Sequence, residues 1–510
     1  MGVAETRVDS LDLESVVAVA RDGSRVTMDD EARGRILASR RHVEGIIDDE
    51  RPVYGVTTGF GALVTTHIPT PDRRELQHSL LRSHAAGAGP FVEPEVVRAM
   101  MVIRAKTLAM GLSGVSVELV EALIAFLNAG LIPAVPEHGS LGASGDLAPL
   151  AHVGLCLTGE GWILEDGEIV PAQQALDQAG LKPVRLKTKE GLALINGTDG
   201  MLGMLILALR DFRLLLKTAD VTTAMSVEAL LGTDRVFREE LHAVRPHPGQ
   251  ASSASNIYKL LEGSPIVASH RASTHLVQDA YSLRCAPQVY GAARDTRDFA
   301  ARVAERELAS TTDNPIVLPD GRVESTGNFH GEPLAFALDF LAIAASEVGA
   351  ITERRIDRLL DPSRSQGLPP FLSPRAGTNS GLMIPHYTAA SLAEENRRLA
   401  TPASVGSLPT SAMQEDHNSL GWSAGRKLRQ VLENLRTILA VEALCAAQAL
   451  ELRSPLSPGP ATKTVLQRIR QEIPSLENDS FIAPDLMKAE GLVATGTLVN
   501  SAVGATGPLR

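Results

Sequence analysis

The sequence predicts a mainly α-helical protein, a bundle of long helices that follows a loop-rich N-terminal domain and carries a few short β-hairpins. Three segments are apolar around almost the whole helical circumference: 202–231, 334–360 and 423–452. Helices of that kind are enclosed by other helices rather than laid on a sheet. Glycine-rich loops, in contrast, concentrate before Asn196. We therefore predict an N-terminal domain at 1–196 and a helical-bundle domain at 197–510.

The remaining elements follow from local signals. Thr27 to Asp30 is typical of a helix N-terminus, and Ile36, Val43 and Ile47 continue it at helical spacing. The segment 92–114 predicts a helix that Pro94 opens and glycines close.

Strand signals are sparse in this sequence. An Asp-Gly turn stands between two short β-prone runs at 161–171, and a second such arrangement occupies 314–325. Each is therefore predicted to form a β-hairpin.

Composition excludes several classes of function. The 510 residues carry a formal net charge of −11, which argues against nucleic acid as a partner. Three cysteines without paired spacing, Cys156, Cys285 and Cys445, indicate a reducing compartment, and we expect a cytoplasmic protein. The N-terminus has no apolar signal segment, and the runs 201–209 and 437–450 are too short to span a membrane. CxxC and HExxH are absent and the histidines form no ligand cluster in sequence, so no metal is expected.

The stretch GSLGASGDLAPLAHVG (139–154) contains too many glycines for an ordinary helix, and its second half is too apolar for a linker. A tight bend would let the amide nitrogen of Gly145 attack the carbonyl carbon of Ala143, because glycine has no Cβ to block the approach. Loss of water closes a five-membered ring. Loss of a second water, from the Ser144 hydroxyl, leaves an exocyclic methylidene. The product is a carbon electrophile made without any external cofactor.

This stretch resembles the signature of the aromatic amino-acid ammonia-lyases, whose electrophile is a 4-methylidene-imidazol-5-one (MIO). Further segments match the family in the same order between about residues 50 and 450. They are YGVTTGFGAL (54–63), LQHSLLRSHAAGAGP (76–90), ALINGTDG (193–200), VQDAYSLRCAPQVYG (277–291), STTDNPIV with STGNFHGEP, which supply Asn314 and His330, and the region around EDHNSLGW (415–422).

The resemblance implies catalytic and substrate-binding residues. The catalytic set is Tyr54 as the base, Ala143, Ser144 and Gly145 as the electrophile, Tyr281 and Glu415. The substrate-binding set is Ser83, His84, Asn196, Gln278, Arg284 and Phe329. A phenol has a pKa of about 10, so we expect neighbouring groups to lower that of Tyr54. The resemblance also implies a homotetramer with sites assembled from three subunits, and we expect Tyr54 and Glu415 to come from different chains.

The pair Ser83-His84 and the Glu415-Asp416-His417 run are similar to the histidine-specific form of the family. The predicted reaction is the elimination of ammonia from L-histidine to give trans-urocanate. Three features depart from that form: Ala286 in place of glutamine, Asn418 in place of the typical valine, and the Pro-His-Tyr run at 385–387. A phenylalanine or tyrosine ammonia-lyase, or a 2,3-aminomutase, therefore remains the alternative. A non-catalytic scaffold is disfavoured, because neither the ring precursor nor the tyrosine is missing.

Overall fold

A computed structural model describes residues 5–46, 52–273 and 277–510, and it is mainly helical as the sequence predicts. The α-helices, in chain order, are α1 (Leu13–Arg21), α2 (Asp30–Ile46), α3 (Arg73–His84), α4 (Pro94–Ala109), α5 (Val117–Asn128), α6 (Leu147–Leu157), α7 (Ala172–Gln178), α8 (Glu190–Ile195), α9 (Asp199–Ala229), α10 (Glu239–Ala243), α11 (Pro248–Leu260), α12 (Pro265–Ser269), α13 (Tyr281–Arg284), α14 (Ala286–Leu308), α15 (Glu332–Leu360), α16 (Met383–Leu399), α17 (Gly421–Glu451), α18 (Pro460–Arg470), α19 (Ala483–Ala494) and α20 (Thr497–Thr506).

Strands are short and pair two by two within the described ranges. They are β1 (Glu5–Arg7), β2 (Arg25–Thr27), β3 (Ala88–Phe91), β4 (Pro136–His138), β5 (Trp162–Glu165), β6 (Glu168–Pro171), β7 (Ile316–Val317) and β8 (Val323–Glu324). Both predicted hairpins, β5–β6 and β7–β8, are confirmed as antiparallel pairs. The parallel pair β1–β2 and the antiparallel pair β3–β4 join distant segments, and no local signal indicated them.

The three long apolar segments form α9, α15 and α17, each within a few residues of its predicted bounds. Charged groups on such helices need partners once water is excluded. In α17 the fully buried Glu442 accepts from the Arg355 guanidinium at 2.5 Å, and in α9 the buried Asp220 pairs with Arg294 at 2.7 Å. The buried surfaces of these helices therefore carry paired charges, which the helical periodicity of the sequence does not predict.

Two of the shorter helices test the predicted N-termini. Helix α4 begins at Pro94, as predicted. Helix α2 begins at Asp30, where the carboxylate of Asp29 accepts from the Ala32 amide at 2.8 Å, while Thr27 ends strand β2. The capping residue is thus Asp29, and Ile47 lies outside the described residues.

The described chain divides into two compact units, each built from three separate segments. The first comprises 1–207, 300–339 and 402–426, and the second comprises 208–299, 340–401 and 427–510. The proposed boundary near Asn196 stays a prediction.

Among the described residues, one helix is long and apolar enough to cross a membrane, and it is α15 rather than either run singled out in the sequence. Within its most apolar window 61% of the helix is buried by the rest of the protein. A helix so enclosed by protein is a core helix, which accounts for its apolar composition.

Candidate active site

The Ala-Ser-Gly turn lies at the N-terminus of α6, in a backbone conformation that requires glycine. Gly142 and Gly145 have φ angles of +64° and +77°, which side chains disfavour. A Cβ at Gly145 would lie 2.1 Å from the carbonyl oxygen of Gly197. The amide of Asp146 donates to that same carbonyl at 2.7 Å. The 142–146 turn is therefore pressed against the 196–197 segment, and only glycine permits the contact at 145.

Asp146 anchors this turn, a role that sequence reasoning missed although the residue stands inside the motif. Its Oδ2 accepts from the amides of Gly200 and Met201, both at 2.9 Å, and its Oδ1 accepts from the Ser140 hydroxyl at 3.0 Å. Complete burial raises the pKa of this carboxyl to about 7, although the hydrogen bonds act to lower it. The carboxyl thus joins the turn to the first residues of α9.

We expect Asp146→Ala to destabilise the protein by about 2–4 kcal/mol, because two buried amides lose their acceptor. Asp146→Asn is the matched control, since its amide oxygen can replace Oδ2 and its nitrogen can donate to Ser140. The Asp146 carboxyl holds its proton more tightly in the folded protein than in the unfolded chain. Its contribution to the free energy of unfolding therefore declines as the pH rises from 3.8 to about 7. Thermal unfolding across that pH range measures both effects. Equal melting temperatures for the two variants would contradict the anchoring role.

A cavity of about 440 Å³ lies beside the turn, within the first compact unit. The predicted site residues that line it are Tyr54, Ser83, His84, Ser144, Asn196 and Glu415. They come from the 54–68 loop, the C-terminus of α3, the Ala-Ser-Gly turn, the end of α8 and the 411–415 loop. Residues far apart in sequence therefore line one cavity.

The expectation that Tyr54 and Glu415 belong to different chains is wrong, because both line this cavity of one chain. The expectation of a lowered pKa for Tyr54 is also wrong in this arrangement. Burial of the ring raises the pKa above 10, the charge of Glu415 raises it further, and the Gly61 amide that donates to the phenol oxygen at 3.2 Å only partly opposes this. The phenol is held in place against the Phe60 ring, edge to face.

His84 ends α3 and has its tautomer set by the backbone. Its Nδ1 lies 3.0 Å from the Leu80 carbonyl oxygen, which can only accept, so Nδ1 carries the proton. Burial lowers the pKa of the ring, while the Leu80 carbonyl and the charge of Glu415 oppose that shift. A neutral imidazole with its proton on Nδ1 leaves Nε2 as a hydrogen-bond acceptor.

Ser144, Asn196 and Glu415 fit the electrophilic group that the turn is predicted to form. The Ser144 hydroxyl lies in the cavity, 3.4 Å from Glu415 Oε1. Asn196 donates from Nδ2 to the Asn314 carbonyl at 2.8 Å, whereas its buried Oδ1 has no partner among the described residues. A buried amide oxygen without a partner is costly unless a bound group satisfies it. The residues around the turn therefore fit the polar five-membered ring that is predicted to form from 143–145.

Other predicted residues do not line this cavity. Gln278, Tyr281 and Arg284 lie in the second compact unit, where the Arg284 guanidinium stacks 4.5 Å from the centre of the Tyr281 ring. The buried Arg355 donates to the Ser282 carbonyl at 3.2 Å and so supports α13. Phe329 belongs to the first unit but is not among the described residues around the cavity.

Three further side chains form a group that could hold a metal ion, which the sequence spacing did not reveal. The ligand atoms of His330, Glu332 and His417 lie within 4.8 Å of one another. However, the Glu332 amide donates to Nδ1 of His330 at 3.3 Å, so that ring carries its proton on Nε2, the nitrogen nearest His417. A protonated nitrogen cannot bind a cation, so the group as arranged is a hydrogen-bonded histidine pair.

This fold, with an Ala-Ser-Gly turn facing a cavity that holds a tyrosine, a histidine and a glutamate, defines the class of the protein. The family model described as aromatic amino acid lyase matches residues 11–471. The chain belongs to the aromatic amino acid lyase family.

Individual relatives are similar over almost their whole length. A histidine ammonia-lyase from Streptomyces avermitilis is 55% identical over 496 residues, which cover 97% of either chain. The solved structure of a tyrosine aminomutase from Streptomyces globisporus matches with a TM-score of 0.95 and 38% identity, and covers 99% of this chain and 100% of that one. The structure of histidine ammonia-lyase from Trypanosoma cruzi matches with a TM-score of 0.91 and 39% identity, over 98% and 96%.

Proposed function

We propose that this protein is a histidine ammonia-lyase, which converts L-histidine to trans-urocanate and ammonia. The observation that carries the substrate is the pairing of a neutral His84, with Nε2 as an acceptor, and the Glu415 carboxylate around one cavity. A histidine substrate protonated on both ring nitrogens offers one N–H donor to each of these acceptors. The 55% identity to a histidine ammonia-lyase supports the same reading.

The electrophile is proposed to be MIO formed from Ala143, Ser144 and Gly145. When present, this group supplies an electron-poor carbon that makes the substrate amine able to leave. Tyr54 takes the β-proton as its phenolate while the C–N bond breaks and the C=C bond forms. Asn196 lines the cavity, and its unpartnered Oδ1 would accept a hydrogen bond from the bound group or the substrate.

The rest of the site is proposed to come from other subunits of a homotetramer. Val277 and Gln278 are exposed, Tyr281 is 70% exposed, and Phe340 and Ile343 leave apolar surface on α15. Exposed apolar surface of this kind favours association. In the assembly, Arg284 would bind the substrate carboxylate through two parallel hydrogen bonds, Gln278 would orient it, Tyr281 would assist proton transfer and Phe329 would wall the pocket. We also propose that the protein is cytoplasmic. Its N-terminal domain is proposed to comprise residues 1–196, and its helical-bundle domain residues 197–510.

A 2,3-aminomutase acting on tyrosine is the second candidate, favoured by the TM-score of 0.95 to a tyrosine aminomutase. Such an enzyme retains ammonia and returns it to the β-carbon. The half-buried His84 disfavours an unsubstituted phenyl ring, which offers no donor to Nε2, whereas the hydroxyl of a tyrosine substrate could donate to it.

Parallel incubation with L-histidine, L-phenylalanine and L-tyrosine tests the assignment, with products identified by mass and absorbance. We expect urocanate from L-histidine, and His84→Leu should raise KM for L-histidine about tenfold to a hundredfold, because the ring loses an acceptor. His84→Gln is the control, since its amide oxygen can accept in place of Nε2. As the pH falls through the lowered pKa of His84, Nε2 gains a proton and binding should weaken in the wild type only. Cinnamate or a β-amino acid without urocanate would contradict the proposal.

A further inference from the structure

Two residues stand directly behind the Glu415 carboxylate, and nothing above gives them a function. The Thr410 hydroxyl lies 2.8 Å from Glu415 Oε2, and the side-chain nitrogen Nδ2 of Asn418 lies 3.2 Å from that hydroxyl. Asn418 is completely buried. These three groups form a continuous hydrogen-bonded row within the first compact unit.

The row has a defined direction. Asn418 Nδ2 also donates to the Leu408 carbonyl, which can only accept, so the amide nitrogen rather than its oxygen faces Thr410. The threonine hydroxyl therefore accepts from Asn418 and has its single proton free for Glu415 Oε2. With Oε2 engaged in this way, Oε1 is the oxygen that lies toward Ser144, at 3.4 Å.

The backbone holds the two ends of the row together. The Thr410 amide donates to the Glu415 carbonyl at 2.8 Å, and the Glu415 amide donates back at 3.3 Å. Three consecutive residues between them, Ser411, Ala412 and Met413, have φ angles of +51°, +51° and +70°. Non-glycine residues adopt this conformation only where their surroundings enforce it. The turn therefore presents Thr410 and Glu415 to each other in one arrangement.

We propose that Thr410 and Asn418 are positioning residues that make this site select side chains with a ring N–H. They hold Glu415 so that Oε1 accepts from a nitrogen heteroaromatic ring, a class to which imidazole belongs and phenyl does not. This inference rests on the proposed function, because it concerns the same cavity. It also gives a role to Asn418, which departs from the valine typical of the histidine-specific pattern: its amide orients the threonine hydroxyl.

A double-mutant cycle on the full-length protein tests the row. We expect Thr410→Val to raise KM for L-histidine about tenfold with kcat changed less than threefold, because the hydrogen bond serves substrate binding in ground and transition states alike. Thr410→Ser keeps the hydroxyl and should retain wild-type KM. Asn418→Val should raise KM about threefold in the wild-type background and leave it unchanged in the T410V background, since Asn418 acts through Thr410.

Each outcome has one meaning. An equal effect of Asn418→Val in both backgrounds would show that it acts through packing alone, and it would overturn the row. A loss in Thr410→Ser as large as in Thr410→Val, or an unchanged KM in Thr410→Val, would do the same. If the wild type forms urocanate in these cases, the proposed function stands without the row. If the wild type forms no urocanate from L-histidine, both proposals fail.

Discussion

Replacing Ser144 with alanine should abolish turnover, by about 10³-fold or more, while the folded protein stays intact. The serine hydroxyl is the group whose loss creates the methylidene, so alanine leaves no electrophile. Before cyclisation this hydroxyl makes one long hydrogen bond among the described residues, to Glu415 at 3.4 Å, so the fold does not depend on it and the variant should remain folded. Steady-state assays with L-histidine and thermal unfolding measure the two effects.

Mass spectrometry separates loss of the electrophile from a change in the cavity. In wild-type protein the digested peptide that contains 143–145 should lack two waters, and in Ser144→Ala it should have its full calculated mass. Ser79 also lines the cavity and has no assigned role, so Ser79→Ala is the matched control and should remain active. An active wild type with an uncyclised Ser144 would contradict the mechanism at its first step.

Replacing Tyr54 with phenylalanine should lower kcat by about 10²–10⁴-fold, because the phenol oxygen is the proposed base for the β-proton. The ring, its burial and its edge-to-face contact with Phe60 are all retained. The variant should therefore still lose two waters at 143–145 and bind substrate with a KM near that of wild type. A Tyr54→Phe enzyme with more than a tenth of wild-type kcat would exclude Tyr54 as the base.

The pH dependence adds an independent test of Tyr54. Burial and the Glu415 charge hold its pKa above 10, so the reactive phenolate becomes more abundant as the pH rises toward that value. We expect the rate of the wild type to rise through the alkaline range and the residual rate of Tyr54→Phe not to do so. Glu415→Gln removes the charge that raises the pKa of Tyr54, so this limb should move to lower pH.

Sequence alone predicted those features that depend on local chemistry. The all-round apolar character of α9, α15 and α17, the Asp-Gly hairpins and the proline that begins α4 each follow from short-range rules, and the structure confirms them. The Ala-Ser-Gly turn and the ordered motifs indicated the family, which the match over 11–471 shows. For individual side chains, the sequence indicated which residues were candidates for the site, but not which groups would surround them.

The tertiary structure decided which groups share one space and how they are charged. Tyr54 and Glu415 are 361 positions apart, yet they line one cavity, and the resulting burial raises the pKa of Tyr54 where sequence reasoning expected it to fall. The positioning roles of Asp146, Thr410 and Asn418 were not predicted from the sequence, because these roles depend on the donors and acceptors that folding places beside them. Desolvation and hydrogen-bond direction are properties of a packed environment. The sequence therefore determined which reactive groups the protein has, and folding determined how those groups are arranged and charged.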